Sequence, residues 1–427
     1  MIMEQATREQ MMERLEQADP EIAHLIRLEH QRQNNTLELI ASENHVSIPV
    51  LNALGSVLTD KYAEGYPGKR WYCGCDKVDM VEQLCIDRAK ELFGAEHANV
   101  QPHSGTSANL AVYLAALKPG QKIMGMNLAH GGHLSHGLSI NLSGAFYEAV
   151  HYGVDEETER LDMDRIREQV LAEKPDMLVV GASAYPRTID FQAFGDIAKE
   201  ANCMLLSDIA HIAGLVVSKM HPDPVPVSDF VTTTNHKTLR GPRGGIVLSK
   251  KEWASKIDRA IFPGIQGGPM IHSIAAKAVA FLEAMKPAFK NYSGAVINNA
   301  RVLAEELIER GWRLVSGGTD NHLMLVDLRS KLPDITGHDA AIWLSDANLI
   351  CNKNAIPFDP RPPAKTSGLR LGTPAITSRG LGTQHMKQIA QWIDEILMSQ
   401  GDPKVIERTA SAVTDLCLEF PVPNHNL

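Results

Sequence analysis

The stretch Val231-Thr-Thr-Thr-Asn-His-Lys-Thr-Leu-Arg-Gly-Pro-Arg-Gly-Gly245 sets a lysine between two short apolar runs. β-Formers lead in, a Gly/Pro/Arg turn follows, and Ile246-Val247-Leu248 leads out. That pattern predicts strand, exposed loop, strand. Lys237 then stands at a strand end, where open α/β sheets keep their reactive groups. Among Thr234, His236 and the arginines its pKa is open to being lowered, and such a lysine can form a Schiff base with a carbonyl cofactor. Taken alone, the stretch reads equally well as a solvated lysine in a basic loop.

Other groups add to it. In Gln101-Pro-His-Ser-Gly-Thr-Ser-Ala-Asn109 a strand-like run enters, and Leu110–Lys118 leaves as a helix. Small hydroxyl residues at a helix start leave backbone N–H groups free for an anion, so Ser104, Gly105 and Thr106 read as a phosphate cradle, or simply as a helix cap. In Cys203-Met-Leu-Leu-Ser-Asp-Ile-Ala-His211 an acid and a histidine follow an apolar strand. An acid there can hold a proton on a cofactor ring nitrogen and make the ring an electron sink; a structural cap or a weak Asp-x-x-His metal pattern are the alternatives.

His130-Gly-Gly-His-Leu-Ser-His136 spaces three histidines as metal ligands would be spaced. The paired glycines offer no regular scaffold, and an imidazole stacked on a flat ring is the better use, so no metal is expected. In Ser367-Gly-Leu-Arg-Leu-Gly-Thr-Pro374 the fork of Arg370 lies between glycines, open to a substrate carboxylate. Pro263-Gly-Ile-Gln-Gly-Gly-Pro269 is a turn able to offer N–H groups to a phosphate in its own subunit or a neighbour. A phosphate loop, an acid for a ring nitrogen, an imidazole, a Schiff-base lysine and a carboxylate clamp together fit a pyridoxal-phosphate enzyme acting on amino acids.

The elements that must position these groups follow from periodicity. Residues 8–18 and 21–32 read as polar helices of an N-terminal arm, and 61–75 as a long loop rich in glycine and aromatics, the kind that is often functional. Residues 78–93 read as a helix. From 98 to 250 the runs Lys122–Met126, Met177–Gly181, Cys203–Ser207, Phe230–Thr234 and Ile246–Ser249 alternate with helices such as Phe191–Ala201, which predicts a mostly parallel sheet with crossover helices. A helix over about 271–286 is expected to stop at Pro287 and a second to begin near Ala295. Runs at 312–315 and 322–327, a helix near 337–347, a run at 348–351 and a helix at 384–398 predict a smaller α+β domain. The expected division is an arm over 1–60, a large cofactor-binding domain over 61–288 and a small domain over 289–427.

Composition excludes several classes. The chain has 427 residues, 44% hydrophobic and 22% charged, enough for a large buried core. A formal net charge of -9 argues against a nucleic-acid binder. The polar stretch Met1–Gln10 lacks the apolar segment of a signal peptide, no run is long enough to span a membrane, and six scattered cysteines read as free thiols. These point to a cytoplasmic protein with no membrane partner.

The chain also resembles the serine hydroxymethyltransferase family of fold-type-I pyridoxal-phosphate enzymes over almost its whole length. The resemblance is carried by Leu39-Ile-Ala-Ser-Glu-Asn44, Lys61-Tyr-Ala-Glu-Gly-Tyr-Pro-Gly-Lys-Arg70, Val100-Gln-Pro-His-Ser-Gly105, His130-Gly-Gly-His133, Val231–Gly245, Val315-Ser-Gly-Gly-Thr-Asp-Asn-His322 and Thr366–Thr377. It implies an aspartate-aminotransferase-like large domain and pyridoxal 5′-phosphate held on Lys237. Asp208 would pair with the pyridine nitrogen, His133 would stack on the ring, and His211 would lie near the phenolic oxygen. Ser104, Gly105, Thr106, Ser183 and His236 would help to fix the cofactor, with Gly267, Gly268 and Tyr62 from a partner subunit. Arg370, Ser42 and Tyr72 would bind the amino acid. Glu64, with Tyr62 and Thr234, would serve the proton transfers, and Glu64, Phe262 and Asn354 would meet the folate. The activity implied is transfer of the serine hydroxymethyl carbon to tetrahydrofolate, leaving glycine, in a homodimer or homotetramer with shared sites.

Some positions depart from the family's commonest pattern: Trp71, Cys73, Asn235, Ile265 and Leu138-Ser-Ile140. They fall near the aromatic loop and the lysine loop. The alternative they raise is a relative acting on 2-methylserine to give D-alanine, or a folate-independent aldolase.

Overall fold

The computed structural model describes residues 8–423, with side chains from Gln10 onward. The first seven residues of the arm, and with them most of the polar stretch Met1–Gln10, lie outside the described residues.

A seven-stranded sheet is the scaffold. Its strands stand in the order His97–Asn99, Gly245–Ser249, Phe230–Thr234, Met204–Asp208, Met177–Val180, Lys122–Met126 and Glu148–Tyr152. From Phe230–Thr234 to Glu148–Tyr152 every pairing is parallel; Gly245–Ser249 runs antiparallel to both of its neighbours. Successive side chains of a strand point to opposite faces, and the core divides accordingly. Leu178, Val180 and Leu205 join Phe93, Phe191, Phe194 and Phe281 on one side. Met177, Val179 and Leu206 join Val112, Tyr113 and Phe230 on the other. Covered on both faces, the inner strands are buried almost throughout, polar residues such as Ser207 and Thr232 included, so they do not show the alternation of a half-exposed strand.

The sheet's crossover connections leave its carboxyl ends along one edge. Asp208 closes one strand and Thr234 the next, and Ala182, Ser183 and His133 lie just past two others. The helix Gly105–Ala116 starts at the same edge. Ser104 caps it reciprocally with Ser107, each side chain accepting the other's backbone N–H, at 3.2 Å and 2.9 Å.

A second, antiparallel sheet holds Arg313–Leu314, Leu323–Asp327, Gly368–Gly372 and Asn352–Asn354 in that order. Its core includes Leu37 and Leu39, because Leu37–Glu38 pairs with Leu349–Ile350. One continuous helix, Pro287–Glu309, ties the two parts: Phe289 packs in the large core, Leu303 and Leu307 in the small one.

Two expectations from the sequence do not hold. Pro287 does not separate a helix from a loop; it is the first residue of the next helix, eight residues ahead of the expected start at Ala295, since proline at a first helical position loses no hydrogen bond. The loop after Phe230–Thr234 is not exposed. Asn235, Lys237, Thr238 and Leu239 are buried: Asn44 of the arm bonds the Lys237 carbonyl, and Thr238 is tied to His211 and Gly214 beneath. The strand Glu148–Tyr152 and the helix Pro403–Glu419, neither singled out by periodicity, complete the two layers.

Candidate active site

Lys237 lies in a loop fixed by its own backbone. Asn44 Nδ2 donates to the Lys237 carbonyl at 2.9 Å and the Arg240 N–H at 3.1 Å. Thr238 Oγ1 donates to the His211 carbonyl at 2.8 Å and accepts the Gly214 N–H at 3.0 Å. The side chain of Lys237 points into a cleft of about 170 Å³ lined by Ser104, Thr106, His133, Asp208, His211 and Arg243, among others. Burial lowers the Lys237 amine from its ordinary value to about 8; the Asp208 charge opposes the shift and the Arg370 and Arg243 guanidinium groups add to it.

Asp208 is the fixed anion of the cleft. Its Oδ2 takes hydrogen bonds from His136 Nε2 at 3.0 Å and Asn109 Nδ2 at 2.8 Å, and its Oδ1 takes the Ala210 N–H at 3.0 Å. Burial alone would raise its pKa. The bond and charge of His136, the charge of His133 and the Asn109 bond outweigh that and hold the carboxyl well below the usual carboxylate range. Asn109 is itself held by Thr232 Oγ1 and reaches Ser135 Oγ at 2.9 Å.

The histidines do not work as the three-fold set their spacing suggested. His130 leaves the group: its Nδ1 accepts the Val154 N–H and its ring lies against Phe358, 4.6 Å between centroids. His133 and His136 stay with Asp208, their ligand atoms within 4.8 Å of one another. His133 Nδ1 is hydrogen-bonded to Ser135 Oγ at 2.7 Å, and burial lowers the imidazole to about 4, so it is a neutral ring facing the cleft. His211 shares a 3.4 Å hydrogen bond with His322, and burial lowers His322 to about 3 and His211 well below its ordinary value.

Arg370 stands on the small sheet with Nε on Asn352 Oδ1 at 3.1 Å and Nη1 on the Ser183 carbonyl at 2.7 Å. No carboxylate pairs with it among the described residues, and burial lowers even this guanidinium to about 10. A half-buried cation without an acid partner is suited to an incoming carboxylate. Ser42 follows the segment whose Leu39 carbonyl accepts the Gly372 N–H at 2.8 Å, which brings it beside the strand of Arg370. Asn354 is two residues beyond Asn352 on the adjoining strand.

A second group stands apart from this cleft in the same chain. Tyr62 donates to Glu64 Oε1 at 3.3 Å and meets Tyr72 edge to face, 5.2 Å between centroids. Gly267 and Gly268 lie under them: a Cβ on Gly268 would stand 3.0 Å from the Tyr62 ring and one on Gly267 3.1 Å from Glu64 Oε1. Phe262 lies in the kinked segment leading to that turn. None of these six lines the Lys237 cleft. Reading the sequence missed Asn109, His136, Arg243 and His322 as parts of the site. All four lie inside stretches already singled out, but nothing in those stretches sets them apart from their polar neighbours.

The cleft fits a phosphorylated aromatic aldehyde. The backbone N–H groups of Gly105 and Thr106 have no acceptor among the described residues, and buried His236 Nδ1 has no partner there either. A Cβ on Gly105 would meet Thr234 Cγ2 at 2.8 Å, so the cradle stays open only with glycine. A buried amine, a fixed anion and an uncovered guanidinium complete the donor set. The fold and this cleft define a fold-type-I pyridoxal-phosphate enzyme.

A family model described as "Serine hydroxymethyltransferase" matches residues 15–393. Over 412 residues the chain is 58% identical to a Nostoc punctiforme protein named "Serine hydroxymethyltransferase", covering 96% of each chain. The chain belongs to the serine hydroxymethyltransferase family, transferases with pyridoxal 5′-phosphate as cofactor and tetrahydrofolate as co-substrate.

Proposed function

We propose that this chain interconverts serine and glycine, passing the hydroxymethyl carbon to or from tetrahydrofolate, with Lys237 and Asp208 at its centre. The observation that carries the reading is the buried Lys237 amine facing a fixed Asp208 anion in a cleft that ends in free helix N–H groups. Kinship at 58% identity with a protein of that name supports serine and glycine over the 2-methylserine or folate-independent alternative.

Pyridoxal 5′-phosphate would be held by Lys237 Nζ, by Ser104, Gly105, Thr106 and His236 at its phosphate, and by Asp208, His133, Ser183 and His211 around its ring. When bound, it supplies an electron sink for the pair released as the serine Cα–Cβ bond breaks. Asp208 keeps a proton on the ring nitrogen, because it remains an anion even when buried. Lys237 has a neutral amine at mildly alkaline pH, which makes it a nucleophile. Arg370 clamps the substrate carboxylate, with Ser42 beside it, and thereby orients Cα. Glu64 moves protons at the hydroxymethyl oxygen, with Tyr62 hydrogen-bonded to it and Tyr72 packed against the Tyr62 ring; Thr234 lines the cleft beside Lys237. Phe262 and Asn354 contact the folate.

Tyr62, Glu64, Tyr72, Gly267 and Gly268 serve the cleft of a partner subunit in a homodimer, or a tetramer built from it. What supports this is their clustering away from the chain's own Lys237, together with a surface that leaves Trp71, Ile140 and Phe146 exposed. The arm, the large domain over 61–288 and the small domain over 289–427 act as the working units; the lysine cleft is lined by the large domain, and Arg370 and His322 of the small domain reach Ser183 and His211 at its edge. A cytoplasmic place accords with six free cysteines and, among the described residues, no helix long and apolar enough to cross a membrane. Serine turnover by the purified, cofactor-loaded protein, assayed with and without tetrahydrofolate, tests the reading: glycine formed at substrate-level rates only with folate supports it, and none formed rejects it.

A further inference from the structure

Lys277 is a buried cation that the chemistry above does not use. It stands on the helix Ile271–Ala284, 2% exposed. Its three N–H donors are spent on three backbone carbonyls: Val100 at 2.7 Å, Gly245 at 2.9 Å and Pro102 at 3.1 Å. No carboxylate lies within ion-pair distance among the described residues. Burying an ammonium is costly unless paired, and carbonyl dipoles offset only part of the cost. A methionine or glutamine would fill the same space without a buried charge.

Two of these carbonyls, Val100 and Pro102, belong to the strand-to-helix loop that ends in Ser104 and Gly105; the third, Gly245, opens the neighbouring strand Gly245–Ser249. Several other backbone groups of the loop are taken as well. The Gln101 N–H donates to Asn99 Oδ1, the His103 N–H to Gln266 Oε1, and the Gln101 carbonyl accepts Gln266 Nε2. The Ser104 N–H is held by Ser107, and the Pro102 carbonyl also accepts the Gly245 N–H at 3.0 Å. With these spent, the N–H groups of Gly105 and Thr106 remain for a ligand. Gly244 shows how closely the lysine is fitted: its φ is +153, and a Cβ there would lie 2.6 Å from Lys277 Cε. The charge reaches the loop, since it adds to burial in lowering the His103 imidazole.

We propose that Lys277 is a positioning residue for phosphate recognition: its ammonium gathers the 100–105 loop from behind and supplies positive charge to the anion taken at Gly105 and Thr106. The inference rests on the reading that this loop receives the cofactor's phosphate. The buried charge is then balanced by the ligand, in concert with the positive end of the helix.

The test compares two probes of the apoprotein, pyridoxal 5′-phosphate and pyridoxal, which lacks the phosphate. Lys277→Met should raise the dissociation constant for pyridoxal 5′-phosphate by about tenfold or more and leave that for pyridoxal within about twofold. Lys277→Gln, which keeps donors but no charge, should show the same split and is read if the first variant does not fold. Equal losses for both probes, no loss for either, or failure of both variants to fold would assign Lys277 to stability alone and overturn the inference. Thr106→Glu, which sets a carboxylate in the cradle, separates the two claims. If it spares pyridoxal 5′-phosphate, the cradle reading fails; if it discriminates and the Lys277 variants do not, only the Lys277 inference fails.

Discussion

His136 and Asp208 are joined inside the cleft, imidazole Nε2 to carboxylate Oδ2 at 3.0 Å, and the same oxygen accepts Asn109 Nδ2 at 2.8 Å. Burial favours a neutral carboxylic acid; these bonds keep an anion there. Asp208→Asn should therefore slow turnover by on the order of 10³-fold, since fixed charge at a reacting group is worth several kcal/mol. His136→Leu, which removes one bond to a charged group, should cost about tenfold. Steady-state kcat for the two variants checks the order; equal effects would contradict it.

The pH dependence of cofactor loading follows from Lys237. Its amine must be neutral to attack an aldehyde, and burial brings its pKa down to about 8. The rate at which apoprotein gains the absorbance of lysine-bound cofactor should rise with pH and level off above about 8, well below the range of a solvated lysine. Asp208 opposes the lowering, so in Asp208→Asn the same profile should move to lower pH. A rate still climbing at pH 10 in the unmodified protein would refute the buried-amine account.

Among the described residues Arg370 has two neutral partners and no acid. Arg370→Lys keeps a charge but loses the planar fork, so KM for serine should rise by roughly 100-fold, the worth of a bidentate charged pair, with a smaller change in kcat. An unchanged KM would remove Arg370 from the substrate site.

The separation of Glu64 from the chain's own Lys237 cleft gives a test of shared sites. Glu64→Gln and Lys237→Ala should each be nearly inactive. Mixed under conditions of subunit exchange, they should regain up to about a quarter of normal activity, because half the dimers are hybrids and each hybrid has one intact site. No recovery, with exchange shown by mass, would place Glu64 in its own subunit's site.

The sequence disclosed the groups whose chemistry depends on place along a strand. Lys237, Asp208 and Ser104 were legible because apolar runs ending in polar residues mark the carboxyl edge of a parallel sheet. Arg370 was legible from the glycines around it. What stayed hidden depends on contacts between distant segments. Nothing local marks Asn109 as the brace of Asp208, 99 residues away, or Lys277 as the staple of Val100, 177 residues away. The lysine loop read as exposed because its Gly/Pro/Arg composition is that of a surface turn; it is buried because Asn44 and the arm close over it. Pro287 read as a stop because a proline ends one helix as readily as it begins another.

Transfer of the serine hydroxymethyl group to folate is the reaction to be followed. The most direct measurement is product formation from serine and from 2-methylserine by the loaded protein with tetrahydrofolate. Glycine and 5,10-methylenetetrahydrofolate are expected in equal amounts from serine, with little D-alanine from 2-methylserine. Preferred conversion of 2-methylserine, or cleavage of serine at the same rate without tetrahydrofolate, would contradict it.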